Sequence, residues 1–194
     1  MDEARLELRD GSAVVVRAIR PGDREAIRDA FSRLGPETRY RRFLSAVERL
    51  SDSDLRYLTE VDHSDHEALV AYDAESREGA GVARYVRDPD NPRLAEAAVV
   101  VSDDWQGRGL GTALCRMLAE RAREEGIEAF AATLLAENRQ AIHLIESLGP
   151  SRVVGTDGAT IKVEVAIPHE GIGEGMRELL RTTARGLVHL RTRR

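Results

Sequence analysis

The chain has 194 residues, 42% of them apolar and 32% charged, with a net charge of −5. That length makes one ordinary domain with room for a buried core. The acidic balance argues against nucleic acid as a partner, because phosphate contacts dominate such binding. No apolar run reaches the ~20 residues of a membrane span. The amino-terminal Met1-Asp2-Glu3-Ala4-Arg5 has no apolar leader. A lone cysteine, Cys115, rules out an internal disulfide framework. A cytoplasmic, membrane-free protein is the expectation. One lysine, Lys162, stands among 29 basic residues.

In chain order, residues 5–9 and 13–19 read as a β-hairpin, with Asp10-Gly11 suited to a type I′ turn. Pro21-Gly22-Asp23 opens a helix to about Leu34, and Gly35-Pro36 stops it. A short helix carries Tyr40, Phe43 and Leu44, and 52–60 is another. Strands follow at 67–72, 81–87 and 94–101. Leu110, Ala113, Leu114, Met117 and Leu118 recur at helical spacing and predict a helix over 110–125, ended by Gly126. A strand at 127–135, a helix at 138–148 and a strand pair near 153–154 and 160–167 complete the domain. The class is mixed α/β (α+β), with helices inserted into a largely antiparallel sheet. The domain occupies 1–167. Residues 168–194 form a helical extension, with an apolar stripe at Ile172, Met176, Leu179, Leu180, Leu187 and Leu190 and arginines around it. Such a stripe covers its own domain or a second copy in a homodimer; a basic amphipathic helix that binds a partner or a membrane is the alternative.

The most informative segment is Val99-Val100-Val101-Ser102-Asp103-Asp104-Trp105-Gln106-Gly107-Arg108-Gly109-Leu110-Gly111-Thr112. A strand runs into a glycine turn, and an amphipathic helix begins. Glycines let backbone N–H groups approach an anion, and the helix start adds donors and the positive dipole end. Both common phosphate loops fail here: no Gly-Lys-Ser/Thr is present, and Gly107, Gly109 and Gly111 miss the dinucleotide spacing. Gln106, Gly109 and Gly111 do fit Q-x-x-G-x-G. In this context the pattern resembles the acetyl-CoA signature of the GNAT N-acetyltransferases, and the likeness runs from about Val14 to Ile167.

The resemblance implies a GNAT fold, acetyl-CoA as cosubstrate and an amine acceptor. It implies that Val99, Val100 and Val101 border the pantetheine and supply an N–H to the developing oxyanion. Gln106, Gly107, Arg108, Gly109, Leu110, Gly111 and Thr112 would cradle the pyrophosphate. Leu134 to Ile142 looks like the second GNAT motif, in which Asn138 bonds the cosubstrate, caps its helix, or does both. Arg17-Ala18-Ile19-Arg20-Pro21-Gly22-Asp23, Pro36-Glu37-Thr38-Arg39-Tyr40-Arg41-Arg42-Phe43, Val61-Asp62-His63 and Gly81-Val82-Ala83-Arg84 resemble the bacterial Pat-like protein-lysine acetyltransferases. Those are often fused to a cyclic-nucleotide-binding or an acyl-CoA-synthetase-like domain, which 194 residues are not expected to hold.

An amine attacks only when neutral, so a base is useful. Glu96 is the candidate. By period-two alternation it shares a face with Leu94, Ala98 and Val100, an apolar setting that suits a base; a strand-end glutamate in solvent is the alternative. The family's usual acid is a tyrosine at the place that Ile145 fills here. Tyr72, Tyr85 or water would substitute, or the thiolate leaves unaided. His63 and His66 lack a third ligand, so no metal site is expected. Cys115 is read as packing and Trp105 as the anchor of the glycine loop. Arg39, Arg41 and Arg42 meet solvent, substrate or phosphate. A protein lysine, a small amine, and a silent acyl-CoA sensor remain three readings. Succinyl-CoA as donor would want a cation near the acyl group, which the sequence does not place.

Overall fold

The computed structural model describes residues 3–168. The helical extension expected over 168–194 lies outside them, apart from Pro168. The elements run β1 (Ala4–Glu7), β2 (Ala13–Ala18), α1 (Arg24–Arg33), α2 (Pro36–Phe43), α3 (Asp52–Thr59), β3 (His66–Asp73), β4 (Gly79–Arg87) and β5 (Leu94–Val101). Then come α4 (Leu110–Glu124), β6 (Ala129–Leu135), α5 (Arg139–Glu146), β7 (Ser151–Asp157) and β8 (Thr160–Ala166). One eight-stranded sheet has the order β1-β2-β3-β4-β5-β6-β8-β7. Every neighbouring pair is antiparallel except β5 with β6. A parallel pair needs a crossover, and α4 supplies it.

The helices cover both faces, and alternation along the strands assigns the residues. Ala83, Tyr85 and Ala95 are buried in one cluster with Leu110, Leu114, Leu118 and Ala122 of α4 and Ile145 of α5. Gly81 lets α4 approach: a Cβ there would meet the Val100 carbonyl at 3.0 Å and Leu114 at 3.1 Å. On the other face Ile19, Ala68, Val70 and Tyr72 are buried together, with Ala26 and Ile27 of α1 against them. The α3 start is fixed by a reciprocal cap between Ser51 and Asp54.

The hairpin turn departs from expectation. A type I′ turn needs positive φ at both central residues, but only Gly11 has it, at +83°. Leu8 N–H donates to the Ser12 carbonyl and Gly11 N–H to the Leu8 carbonyl. The loop is therefore Arg9-Asp10-Gly11, with the glycine as the left-handed residue. Strand β7 is also longer than the expected Val153-Val154; it is held by pairing with β8, and its seven exposed residues carry no apolar alternation that would mark it.

The Arg17-to-Asp23 motif closes the start of the domain. The Arg17 guanidinium forks onto Asp23 at 2.8 and 2.7 Å, and Tyr72 donates to Asp23 at 3.1 Å. Arg20 N–H adds a bond to the same carboxylate at 2.7 Å. Burial alone would raise the Asp23 carboxyl. The bonds from Arg17, Arg20 and Tyr72 outweigh it and hold the group below the usual carboxylate range. A depressed carboxyl stabilises the fold fully above its unfolded value of about 3.9, and that contribution is lost as pH falls toward the folded value. Removing one partner of a buried pair leaves the other charge stranded. Asp23→Asn is expected to lower the unfolding free energy by about 3 kcal/mol at pH 7, and to flatten the acid side of the stability profile. Urea titrations between pH 3 and 7, with the exposed Asp29→Asn as control, check both.

Candidate active site

Strands β5 and β6 stay together for three residue pairs: Leu94 with Ala129, Ala95 with Phe130, and Glu96 with Ala131. Beyond Glu96 they part. Strand β5 continues bonded to β4 as far as Val101, and β6 continues bonded to β8 as far as Leu135. The wedge between them opens into a cleft of about 1250 Å³. One wall is the freed edge of β5; the other includes Ala132 to Leu134 and α5. The glycine loop and the first turn of α4 line its end.

That loop presents donors. Gly107 and Gly109 take positive φ, +76° and +92°. Ala113 N–H is the first to bond inside the helix, to the Gly109 carbonyl at 3.1 Å. The six N–H groups before it, from Gly107 to Thr112, donate to no backbone carbonyl among the described residues. Unpaired N–H groups in such a row, at the positive end of a 15-residue helix, fit a pyrophosphate.

The expected site residues fall mostly together. Glu96, Val99, Val100, Val101, Gln106, Gly107, Gly109, Leu110, Gly111, Thr112 and Asn138 all line the cleft. Arg108 does not. Its guanidinium lies 4.9 Å from the centre of the Trp105 ring and pairs with Asp10 at 3.2 Å, so it ties the loop to the hairpin. The Gln106 side chain turns inward, donating to the Val101 carbonyl at 3.2 Å and to Thr38 and Asp103 at 3.3 Å. Asn138 caps α5, accepting from Ala141 N–H at 3.1 Å.

Glu96 corrects one expectation. It sits on the predicted face, opposite Val86 and Ala131, but it is exposed rather than enclosed by apolar side chains. Tyr72 and Tyr85 correct another, since neither lines the cleft. Tyr72 is held by Asp23 and Arg17, and burial beside that carboxylate pushes it up to about 12. Tyr85 is fully buried, donates to the Ser64 carbonyl, and is likewise pushed up by burial. Ile145 lines the cleft as an apolar residue. Burial pushes the Cys115 thiol up to about 12, so it stays protonated near neutral pH.

His63 bonds the buried Glu67 at 2.8 Å, and His66 bonds Arg84 at 3.1 Å. Arg39 donates to the Leu34 carbonyl, and Arg41 pairs with Glu37. Arg41 and Arg42 line the cleft. So does Arg9, from the tip of the β1–β2 hairpin; its Nε lies 3.4 Å from where a Gly109 Cβ would stand. Nothing local in the sequence marks Arg9, because it meets the loop only through the fold, about a hundred residues away.

A forked sheet beside a glycine loop with free N–H groups defines a protein that holds an extended, phosphate-bearing ligand along a strand edge. The model of the acetyltransferase (GNAT) family matches residues 25–149. Acetyltransferase Pat of Mycolicibacterium smegmatis is 34% identical over 163 residues, covering 84% of this chain and 48% of that protein. The chain thus spans about half the length of that relative. Acetyltransferase PA5475 of Pseudomonas aeruginosa is 37% identical over 145 residues, covering 73% of this chain and 77% of that one. The crystal structure of the GNAT domain of S. lividans PAT superimposes with a TM-score of 0.78 at 31% identity, covering 85% of this chain and 97% of that domain. The chain belongs to the GNAT acetyltransferase family. Among the described residues, no helix is long and apolar enough to cross a membrane.

The positive φ of Gly109 generates a direct test. An L side chain in that region costs about 1–2 kcal/mol. Gly109→Ala is expected to lose about that much stability in urea titration, whereas a neutral result would show that the loop relaxes.

Proposed function

We propose that this protein transfers an acetyl group from acetyl-CoA to the side-chain amine of a protein lysine, with Glu96 as general base. The observation that carries the reading is the row of six free N–H groups at the end of an unpaired strand edge, with Glu96 at the fork. The pyrophosphate would lie on the donors of residues 107–112. Arg9, at the same loop, would add a charge-assisted bond to a phosphate oxygen. The pantetheine arm would run as a strand along the edge of β5 beyond Glu96. A main-chain N–H within Val99 to Val101 would then receive the developing oxyanion. Asn138, on the opposite wall, would face the same arm with the amide atoms its cap leaves free.

A lysine ammonium, with a pKa of about 10.4, must lose a proton before it attacks. Glu96 would accept it, directly or through water, and its exposure lets a side chain from another protein surface reach it. The bond from the amine nitrogen to the acetyl carbon forms, and the carbon–sulfur bond breaks. Among the described residues no tyrosine lines the cleft, so the thiolate leaves without a tyrosine acid and takes up, through water, the second proton that the nitrogen gives up as the amide forms. The lysine reading rests on the Pat-like motifs and on the open access to Glu96. The chain spans about half the length of its M. smegmatis relative.

Thiol release from acetyl-CoA, measured against a lysine-bearing protein and a panel of free amines, tests this. Glu96→Gln is expected to lower kcat on the protein about a hundredfold or more while acetyl-CoA still binds. Turnover confined to free amines would overturn the lysine reading, and an unaffected variant would remove Glu96 from the chemistry. Arg9→Ala is expected to raise KM for acetyl-CoA about tenfold with kcat nearly unchanged. Initial-rate kinetics at varied acetyl-CoA check it, and a fall in kcat alone would contradict a phosphate contact.

A further inference from the structure

Behind Glu96, on the face of the sheet that carries α1 to α3, two arginines lie close together. Arg84 of β4 pairs in register with Ala98, which places it diagonally beside Glu96. It is only 7% exposed. Its guanidinium donates to the Leu58 carbonyl at 2.9 Å and meets His66 Nε2 at 3.1 Å. Burial and the neighbouring Arg84 both lower the His66 imidazole, so His66 is a neutral acceptor near pH 7. Among the described residues Arg84 therefore has hydrogen-bond partners but no ion pair.

Arg42, at the end of α2, is the second cation. Its guanidinium lies 5.0 Å from the centre of the Phe43 ring, and among the described residues it makes no ion pair. The carboxylate that favours its charge is that of Glu96. The two arginines repel each other, and burial with that repulsion lowers Arg84 to about 10. Four arginines on the neighbouring elements have carboxylate partners of their own. Arg17 pairs with Asp23, Arg24 with Glu60, Arg28 with Glu25 and Asp52, and Arg41 with Glu37.

Both cations border open space. A small cavity of about 70 Å³ is lined by Arg42 and Arg84. It shares Arg42, Phe43, Ala98 and Val100 with the large cleft. Positive charge in excess of one glutamate thus stands beside the fork, with Arg42 in the cleft and Arg84 behind it in the smaller cavity. A guanidinium removed from water needs an anion, and its planar fork suits a carboxylate. We propose that Arg42 and Arg84 form a carboxylate-binding subsite beside Glu96, which holds an acidic group carried by one of the two substrates. That group is either an acid flanking the acceptor lysine or the distal carboxylate of a dicarboxylic acyl-CoA. The inference rests on the acetyltransferase reading of the cleft.

The test compares kcat/KM on two peptides, one with glutamate beside the lysine and one with glutamine, each with acetyl-CoA and with succinyl-CoA. Wild type, Arg42→Gln and Arg42→Lys are assayed, with thermal melts to confirm folding. Wild type is expected to prefer one carboxylate-bearing substrate about tenfold over its neutral counterpart. Arg42→Gln would shrink that ratio to near one, and Arg42→Lys would retain part of it. Preference for the glutamate peptide assigns the acid to the acceptor; preference for succinyl-CoA assigns it to the donor. No charge preference in an enzyme that acylates the peptides overturns the subsite, as does a preference that Arg42→Gln leaves intact. Calorimetric affinities for the same peptides and acyl-CoAs read the preference without turnover. An enzyme that acylates neither peptide counts against the lysine reading, and the subsite then stands or falls on those affinities alone.

Discussion

The site depends on how briefly two parallel strands stay paired. Three residue pairs hold β5 to β6, and then each strand follows its antiparallel partner away from the other. A strand edge left open inside a sheet is a row of donors and acceptors that needs a partner. Here the edge of β5 faces a cleft and ends in a glycine loop, so the most direct partner is an extended ligand with an anion at one end. The crossover that makes the pair parallel is also what brings the start of α4 to the open end of the cleft. Topology and binding chemistry therefore share one cause.

A second constraint ties the acceptor side to the loop. Asp103, in the turn after β5, accepts from Gly35 N–H at 2.7 Å and from the Thr38 hydroxyl, both at the start of α2. Those bonds hold its carboxyl below the usual range. Gln106 spans the same junction, bonding Thr38 and the Val101 carbonyl. The signature glutamine thus braces the loop from behind with its side chain, and the N–H groups beyond it are left to the cleft. Helix α2 carries Arg41 and Arg42 to the cleft from that anchor. The Pro36-Glu37-Thr38 motif and the Asp103-Asp104-Trp105 turn are halves of one contact, although about 65 residues separate them.

Local patterns in the sequence found most elements, because apolar periodicity reports which face is buried. They found β5 and α4 nearly to the residue, α4 because it buries a regular stripe and β5 because turn residues bound an apolar run on both sides. They undercounted β7, whose seven residues are all exposed and leave no alternation to read. The glycine loop was legible because its chemistry is contiguous. Arg9 was not legible as a site residue, because it reaches the cleft through hairpin packing, and Arg84 was not, because strand pairing alone sets it beside Glu96. Alternation placed Glu96 on the right face but could not say what covers it. Its neighbours there include Ala98, which is small, and the helices leave the carboxylate open to water.

That openness changes how a base here would operate. Glu96 is exposed, so a proton it accepts can pass on to water. The nearby charges act on the other reactant. A cation close to an amine disfavours its ammonium form, by the same Coulombic rule that lowers Arg84 beside Arg42. Under the proposed mechanism a lysine entering beside Glu96 meets Arg42 as well, and less free energy is then needed to reach the neutral amine. The two effects require different positions. Glu96 must touch the proton, whereas the arginines need only lie within several ångströms and out of its path. The diagonal placement of Arg84 and the seat of Arg42 on Phe43 satisfy that geometry.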